Sequence, residues 1–170
     1  MTPAAAVDFS VRASYDMLPD APQSRGDPGG RFIWLRQGTE TMPISGLLNS
    51  LTFRDGLVPV VIVEADGQVL TLCYMNEQAL EATLRTGQVH VFRRSRGRMM
   101  RKGDSSGHVQ KVRDVRMDCE GNSLMMVVEQ TVAACHAGYR TCYYRRYDPK
   151  ADRLEICEER IFDPEGVYGP

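Results

Sequence analysis

Cys119, Cys135 and Cys142 stand 16 and 7 residues apart, and His136 directly follows the second of them. Three thiolates without an obvious fourth protein ligand describe a zinc site with one open position, which is what a catalytic zinc needs in order to hold a water. Three thiolates also leave the metal electron-rich, so its water is acidified less than among three histidines and gains from a nearby base, for which His136 is the candidate. The spacing is equally compatible with buried core cysteines. Asp118, Glu120 and Asn122 flank Cys119 with period two, and on an extended strand that period puts all three on the face opposite the thiol. Carboxylate and amide oxygens suit a hard cation such as Mg2+, which pairs one or two carboxylates with waters and substrate phosphates. The same Glu-Gly-Asn stretch also reads as the acidic turn of a hairpin.

A second signal is charge. Between Arg93 and Arg116 lie nine basic residues against two acidic ones, although the whole chain carries a net charge of only -1. Within that stretch MRKGDSSGHVQKV is rich in Gly and Ser and reads as a loop, so guanidinium, ammonium and backbone N–H donors are gathered where an anionic ligand could use them. Lys102 is the candidate contact to a phosphate or ribose.

These residues need elements to position them. LVPVVIVEA, from Leu57, is an apolar β-branched run that ends at Asp66-Gly67, and QVLTLCYM follows directly, which predicts a hairpin. Asn76 can cap a helix with EQALEATLRTG as its body, Ala79, Leu80, Thr83 and Leu84 on one face and Gly87 as the stop. VHVFRRS reads as a strand, VRDVRMDC and SLMMVVEQ as two strands joined around Glu120-Gly121-Asn122, and TCYYRRYD and RLEICEERIF as two more. About seven strands and one clear helix predict a β-rich α+β fold with a mixed, twisted sheet. Residues 1–30 hold four of the nine prolines and read as an arm or linker, with RFIWL after them as a possible short strand. The first 50 residues are therefore expected to be a partly irregular extension and residues 51–170 the catalytic domain.

The chain has 170 residues, 42% of them hydrophobic and 25% charged, which is the make-up of one globular domain. It has no apolar run long enough for a membrane helix and no secretory leader, so the cytoplasm is the expected compartment. Five cysteines, an odd number, argue against a disulfide framework. His90 reads as a half-buried structural histidine, and Cys73 and Cys157, in apolar strand patterns, as core thiols.

The collinear segments DGLVPVVIV, LCYMNEQALEATLRTG, SRGRMMRKGDSSGHVQKV, RMDCEGNSLMMVVEQ and ACHAGYRTCYYRR resemble the phosphoribosyl-AMP cyclohydrolase family of histidine biosynthesis, over about residues 55 to 147. The resemblance implies a β-rich homodimer, intertwined, with active sites at the subunit interface. It implies hydrolysis of the bond between N1 and C6 of the adenine ring of phosphoribosyl-AMP by zinc-activated water. By motif it places zinc on Cys119, Cys135 and Cys142 and magnesium on Asp118, Glu120 and Asn122. Lys102, Gly103, Ser106, Gly107 and His108 match the family's loop motif, and the chemistry of these segments makes His136 and His108 the candidate catalytic histidines and Lys102, Gly103, Ser106, Gly107, Arg94 and Arg96 the candidate substrate contacts. Two motifs depart from the family. Its usual Asp-Cys-Asp-x-Asp is here Asp-Cys-Glu-Gly-Asn, so Asn122 offers a neutral oxygen and one negative charge is lost. Its loop usually reads Trp-x-Lys-Gly-Glu-x-Ser-Gly-His, and here Met100 and Asp104 replace the tryptophan and the glutamate. The chain ends soon after these motifs, so the pyrophosphohydrolase domain sometimes fused to this family, and with it the preceding reaction, is expected on another protein.

Two other functions fit some of the residues: a related nucleotide hydrolase with a changed substrate, and a non-catalytic zinc-stabilised binding module. A zinc nucleobase deaminase is disfavoured because H-x-E and P-C-x-x-C are missing. Nucleic-acid binding is disfavoured because only Phe92 interleaves the basic stretch, and membrane binding by the near-neutral charge.

Overall fold

The structure, a computed structural model, describes residues 44–169. The predicted strand at 31–35 and the whole N-terminal arm, residues 1–30, lie outside those residues. Two apolar runs of alternating burial form the centre: β1 (Val58–Glu64) and β6 (Leu124–Gln130) pair in parallel, Val60 opposite Leu124 and Glu64 opposite Val128. On the outer edge of β1 runs β2 (Val69–Met75), antiparallel, and on the outer edge of β6 runs β5 (Gln110–Met117), also antiparallel. The resulting sheet has the order β2-β1-β6-β5 and is mixed, as expected. Its buried face carries Val60, Ile62, Leu70, Leu124, Met126 and Val128, all at most 1% exposed.

Helix α2 (Glu77–Thr86) covers that core. The Asn76 side chain accepts from the Ala79 N–H at 2.9 Å, and Gly87 ends the helix in the left-handed conformation. Ala79, Leu80 and Thr83 are buried, as the 3.6-residue period predicts, and Leu84 packs against the core at its edge. A short α1 (Ser45–Ser50) precedes β1 and packs Leu47 and Leu48 on the same core, so part of the predicted extension belongs to the folded body.

Two small hairpins complete the strands. β3 (His90–Arg93) turns through a 3₁₀ segment, Arg94–Arg96, into β4 (Arg98–Arg101). β7 (Arg145–Asp148) pairs with β8 (Arg153–Ile156), and α3 (Pro164–Tyr168) closes the described chain. The described residues thus contain eight strands and three helices, against seven and one expected. β4 is the extra strand: Met100 and Arg101, assigned to the loop, pair with Val91 and His90. The strand predicted from Thr141 starts only at Arg145, because Thr141 and Cys142 bind the edge of β2 instead: Thr141 Oγ1 donates to the Val69 carbonyl at 2.8 Å and the Cys142 N–H to Leu70 at 2.8 Å. No helix among the described residues is long and apolar enough to cross a membrane.

Candidate active site

The Gly-Ser loop between β4 and β5 is closed by its own hydrogen bonds. The Gly107 N–H donates to the Gly103 carbonyl at 2.8 Å, and the His108 N–H to Ser106 Oγ at 3.2 Å. At its base the Lys102 N–H donates to Val89 at 2.8 Å, and Asp104, standing where the family loop has glutamate, takes the Arg101 guanidinium at 2.8 Å. The loop is therefore held at Val89, just before β3, and Lys102 and His108 both line one cleft.

A second loop, 131–144, meets it. Its chain doubles back on itself, Ala134 N–H to Arg140 O at 3.1 Å and Cys135 N–H to Tyr139 O at 3.2 Å, so that Cys135 and His136 sit at the tip of a turn. Arg140 anchors this loop to the β1–β2 hairpin through Glu64 at 2.9 Å and Asp66 at 2.6 Å. The Gln68 amide, and then the Arg140 guanidinium, hold the Asp66 carboxyl below the usual carboxylate value. Together the two loops, β2 and β3 enclose a cleft of about 820 Å³. Lys102, Gly103, Ser106, His108, His136 and Cys142 line it, and so does Arg94, whose guanidinium lies over the Tyr74 ring at 3.9 Å. Arg96 and Gly107 do not line the cleft, and both are exposed.

Cys135 and Cys142 are neighbours. Cys135 is 4% exposed, and burial, reinforced by the adjacent Cys142 thiol, pushes its thiol upward, while the Ala137 N–H donating to Cys135 Sγ at 3.4 Å works the other way. Two adjacent thiols are a donor set that a soft divalent cation would complete, because the cation supplies the charge that makes a thiolate favourable. Cys119 is elsewhere. It follows the end of β5, one edge strand of the sheet, whereas Cys142 docks on Leu70 of β2, the other edge strand, with β1 and β6 between, about 14 Å across the strands. Among the described residues no three Cys, His, Asp or Glu side chains converge on one point.

Residues 118–123 are a turn, which corrects the predicted alternation of Asp118, Glu120 and Asn122 on an extended strand. β5 ends at Met117, and Asp118 Oδ1 draws the chain round by accepting from the N–H groups of Asn122 at 2.7 Å and Ser123 at 3.1 Å. The Asn122 side-chain N–H donates to Glu120 Oε2 at 2.8 Å, which directs its own oxygen away from Glu120.

Three cleft residues escaped the sequence reading. Gln110 is fully buried, donates to Gln130 Oε1 at 3.0 Å, and has the one buried side-chain polar atom without a partner among the described residues, Oε1. The Gln130 amide in turn donates to the Arg140 carbonyl at 3.2 Å, so the relay runs from the cleft floor to the loop that carries His136. Its signal was a glutamine two residues after His108 on an otherwise apolar face. Cys73, half-buried, lines the cleft, and burial pushes its thiol up to about 11. Tyr168 reaches the cleft from the far C-terminus, and nothing in the local pattern announces it. His90 is half-buried, with Nδ1 at 2.8 Å from the Gln88 carbonyl, in keeping with a structural role. Cys157 is exposed, which corrects its assignment to the core, since β8 ends one residue earlier and six of the eight strand residues of its hairpin are exposed.

The sequence model for "PRA-CH: Phosphoribosyl-AMP cyclohydrolase" matches residues 71–144. A phosphoribosyl-AMP cyclohydrolase of Nitratidesulfovibrio vulgaris is 49% identical over 115 residues, covering 66% of this chain and 90% of that protein. The protein of the same description from Methanothermobacter thermautotrophicus is 44% identical over 123 residues, 71% of this chain and 88% of the relative. One from Halorhodospira halophila is 44% identical over 128 residues, 74% and 89% respectively.

Proposed function

Because the chain belongs to the phosphoribosyl-AMP cyclohydrolase family, we propose that it opens the adenine ring of phosphoribosyl-AMP by adding water at C6 and breaking the bond between N1 and C6. The observation that carries this reading is the convergence of His108, His136, Lys102 and Cys142 on one cleft, from two loops far apart in sequence. Arg93, Arg94, Arg101 and Lys102 face that cleft against a single acid, Asp104, which suits a ligand with two phosphates.

Cys135 and Cys142 would hold zinc in one subunit, and Cys119 of a second copy would complete the set, since its own chain carries it to the opposite edge of the sheet. Exposed apolar side chains support such pairing: Leu72, Tyr143, Tyr147, Leu154 and Ile156 are 46 to 63% exposed. When bound, zinc supplies a Lewis acid that makes water a better nucleophile near neutral pH. His136, exposed at the tip of its turn, is placed to take a proton from the attacking water and return it to N1 as the ring opens, so that this proton ends on the departing nitrogen. His108 assists by orienting the base. Lys102, the loop N–H groups and Arg94 hold the phosphates and ribose. Asp118, Glu120 and Asn122 would hold magnesium with help from substrate phosphate oxygens.

Incubation of the purified protein with phosphoribosyl-AMP, followed by absorbance, tests the reading. Ring opening is expected. A protein that binds zinc yet leaves phosphoribosyl-AMP intact would be a binding module, and one that hydrolyses only other nucleotides a hydrolase of changed substrate.

A further inference from the structure

The chain beyond residue 144, where the family model stops matching, folds back onto the site. The Ile161 N–H donates to the Gly138 carbonyl at 2.7 Å, and the Phe162 N–H reaches the same oxygen at 3.4 Å. The approach is so close that a Cβ on Gly138, whose φ is 89°, would collide with the Phe162 carbonyl. Gly138 lies two residues after His136, so this contact fastens the C-terminal segment to the turn that carries the candidate base. Phe162 also meets the His108 ring edge-on, with centroids 4.7 Å apart and planes at 74°. Asp163 then caps α3, its Oδ1 accepting from the Glu165 N–H at 3.2 Å, with Pro164 in the first turn. One turn of helix delivers Tyr168 to the cleft wall, its ring 6.3 Å from that of Phe162.

Three Phe or Tyr side chains line the cleft: Tyr74, Phe92 and Tyr168. Arg94 already covers the Tyr74 ring, and Phe92 is half-buried in its hairpin. Tyr168 is 44% exposed, so its ring has a face that a ligand can use. A planar aromatic ring set beside cationic groups is the combination that holds a nucleotide, the base on the ring and the phosphates on the cations.

We propose that Tyr168, carried in by the segment anchored on Gly138 and His108, is a ligand-binding residue whose ring packs against the purine of the bound nucleotide. This rests on the reading of the cleft as a nucleotide site and adds to it a contact from outside the matched motifs.

The test is equilibrium binding of AMP, by ligand-observed NMR or calorimetry, to the wild-type protein, Tyr168→Phe, Tyr168→Leu and Tyr168→Ala, with thermal unfolding of each. Binding of AMP to wild type is expected, with Tyr168→Phe within about twofold and Tyr168→Leu and Tyr168→Ala weakened about tenfold or more, at unchanged thermal midpoint. AMP binding equal in wild type and Tyr168→Ala, absent from both, or weakened as much in Tyr168→Phe as in Tyr168→Ala, would overturn the assignment. Because the readout is binding, failure of Tyr168 is separable from failure of the proposed reaction, which turnover by the wild-type protein decides.

Discussion

At the scale of single residues, His136 and Asn122 carry the sharpest expectations. His136 is exposed at the tip of a turn, so removing its side chain costs the fold little while removing the base. His136→Ala is expected to keep its thermal midpoint and zinc content while losing about 10²- to 10⁴-fold in turnover, measured by unfolding, metal analysis and initial rates. Loss of the fold, or normal turnover, would move the base elsewhere. Asn122 is a different case, because its N–H binds Glu120 and its oxygen is neutral. A hard cation is selected by anionic oxygens, so Mg2+ held here depends more on the substrate's phosphates. Asn122→Asp is expected to lower the Mg2+ concentration needed for half-maximal turnover. Superimposed titrations would reduce Asn122 to a turn residue.

At the scale of elements, the β5–β6 turn joins site and fold. Gly121 has φ 69°, its carbonyl accepts from the Thr52 N–H at 2.8 Å, and a Cβ there would strike the Ser50 carbonyl. Gly121→Ala should therefore destabilise the protein by about 1 to 3 kcal/mol, a fall of about 3 to 10 °C in Tm by calorimetry. An unchanged Tm would mean that the turn does not press on the end of α1. Elements with their own local signal were legible beforehand: α2 through its Asn76 cap and Gly87 stop, and β1, β2 and β6 through unbroken apolar runs. What decided the rest was tertiary. β4 carries Arg98 and Arg101 at its ends, so its period was masked by charge. Thr141 and Cys142 have strand-like neighbours but dock sideways on β2. The residues of the cleft were legible where they form a dense local motif, as in Lys102 to His108. Gln110 and Tyr168 were not, since only the folded chain brings them there.

At the scale of the whole molecule, one chain holds Cys142, with Cys135 beside it, at the β2 edge of its sheet and Cys119 after β5 at the other edge. If a second copy supplies Cys119, two dead variants can repair each other. A dimer of His136→Ala with Cys119→Ser has one site in which the intact loop of one chain meets the intact turn of the other. Co-expression of the two variants is expected to recover about a quarter of wild-type turnover, since about half the dimers are mixed and each has one good site. Sedimentation of the wild-type protein should show a dimer. Activity no higher than that of the separate variants would place Cys119 outside the partner's site.

In the proposed reaction water enters at C6 and the bond from C6 to N1 breaks. Turnover of phosphoribosyl-AMP in 18O-labelled water, with mass analysis of the product and its fragments, reads this directly. One labelled oxygen is expected in the product, located in the new carboxamide on the imidazole ring, with the bond from N1 to its ribose intact. Product without label, label on another atom, or no ring opening at all would contradict it.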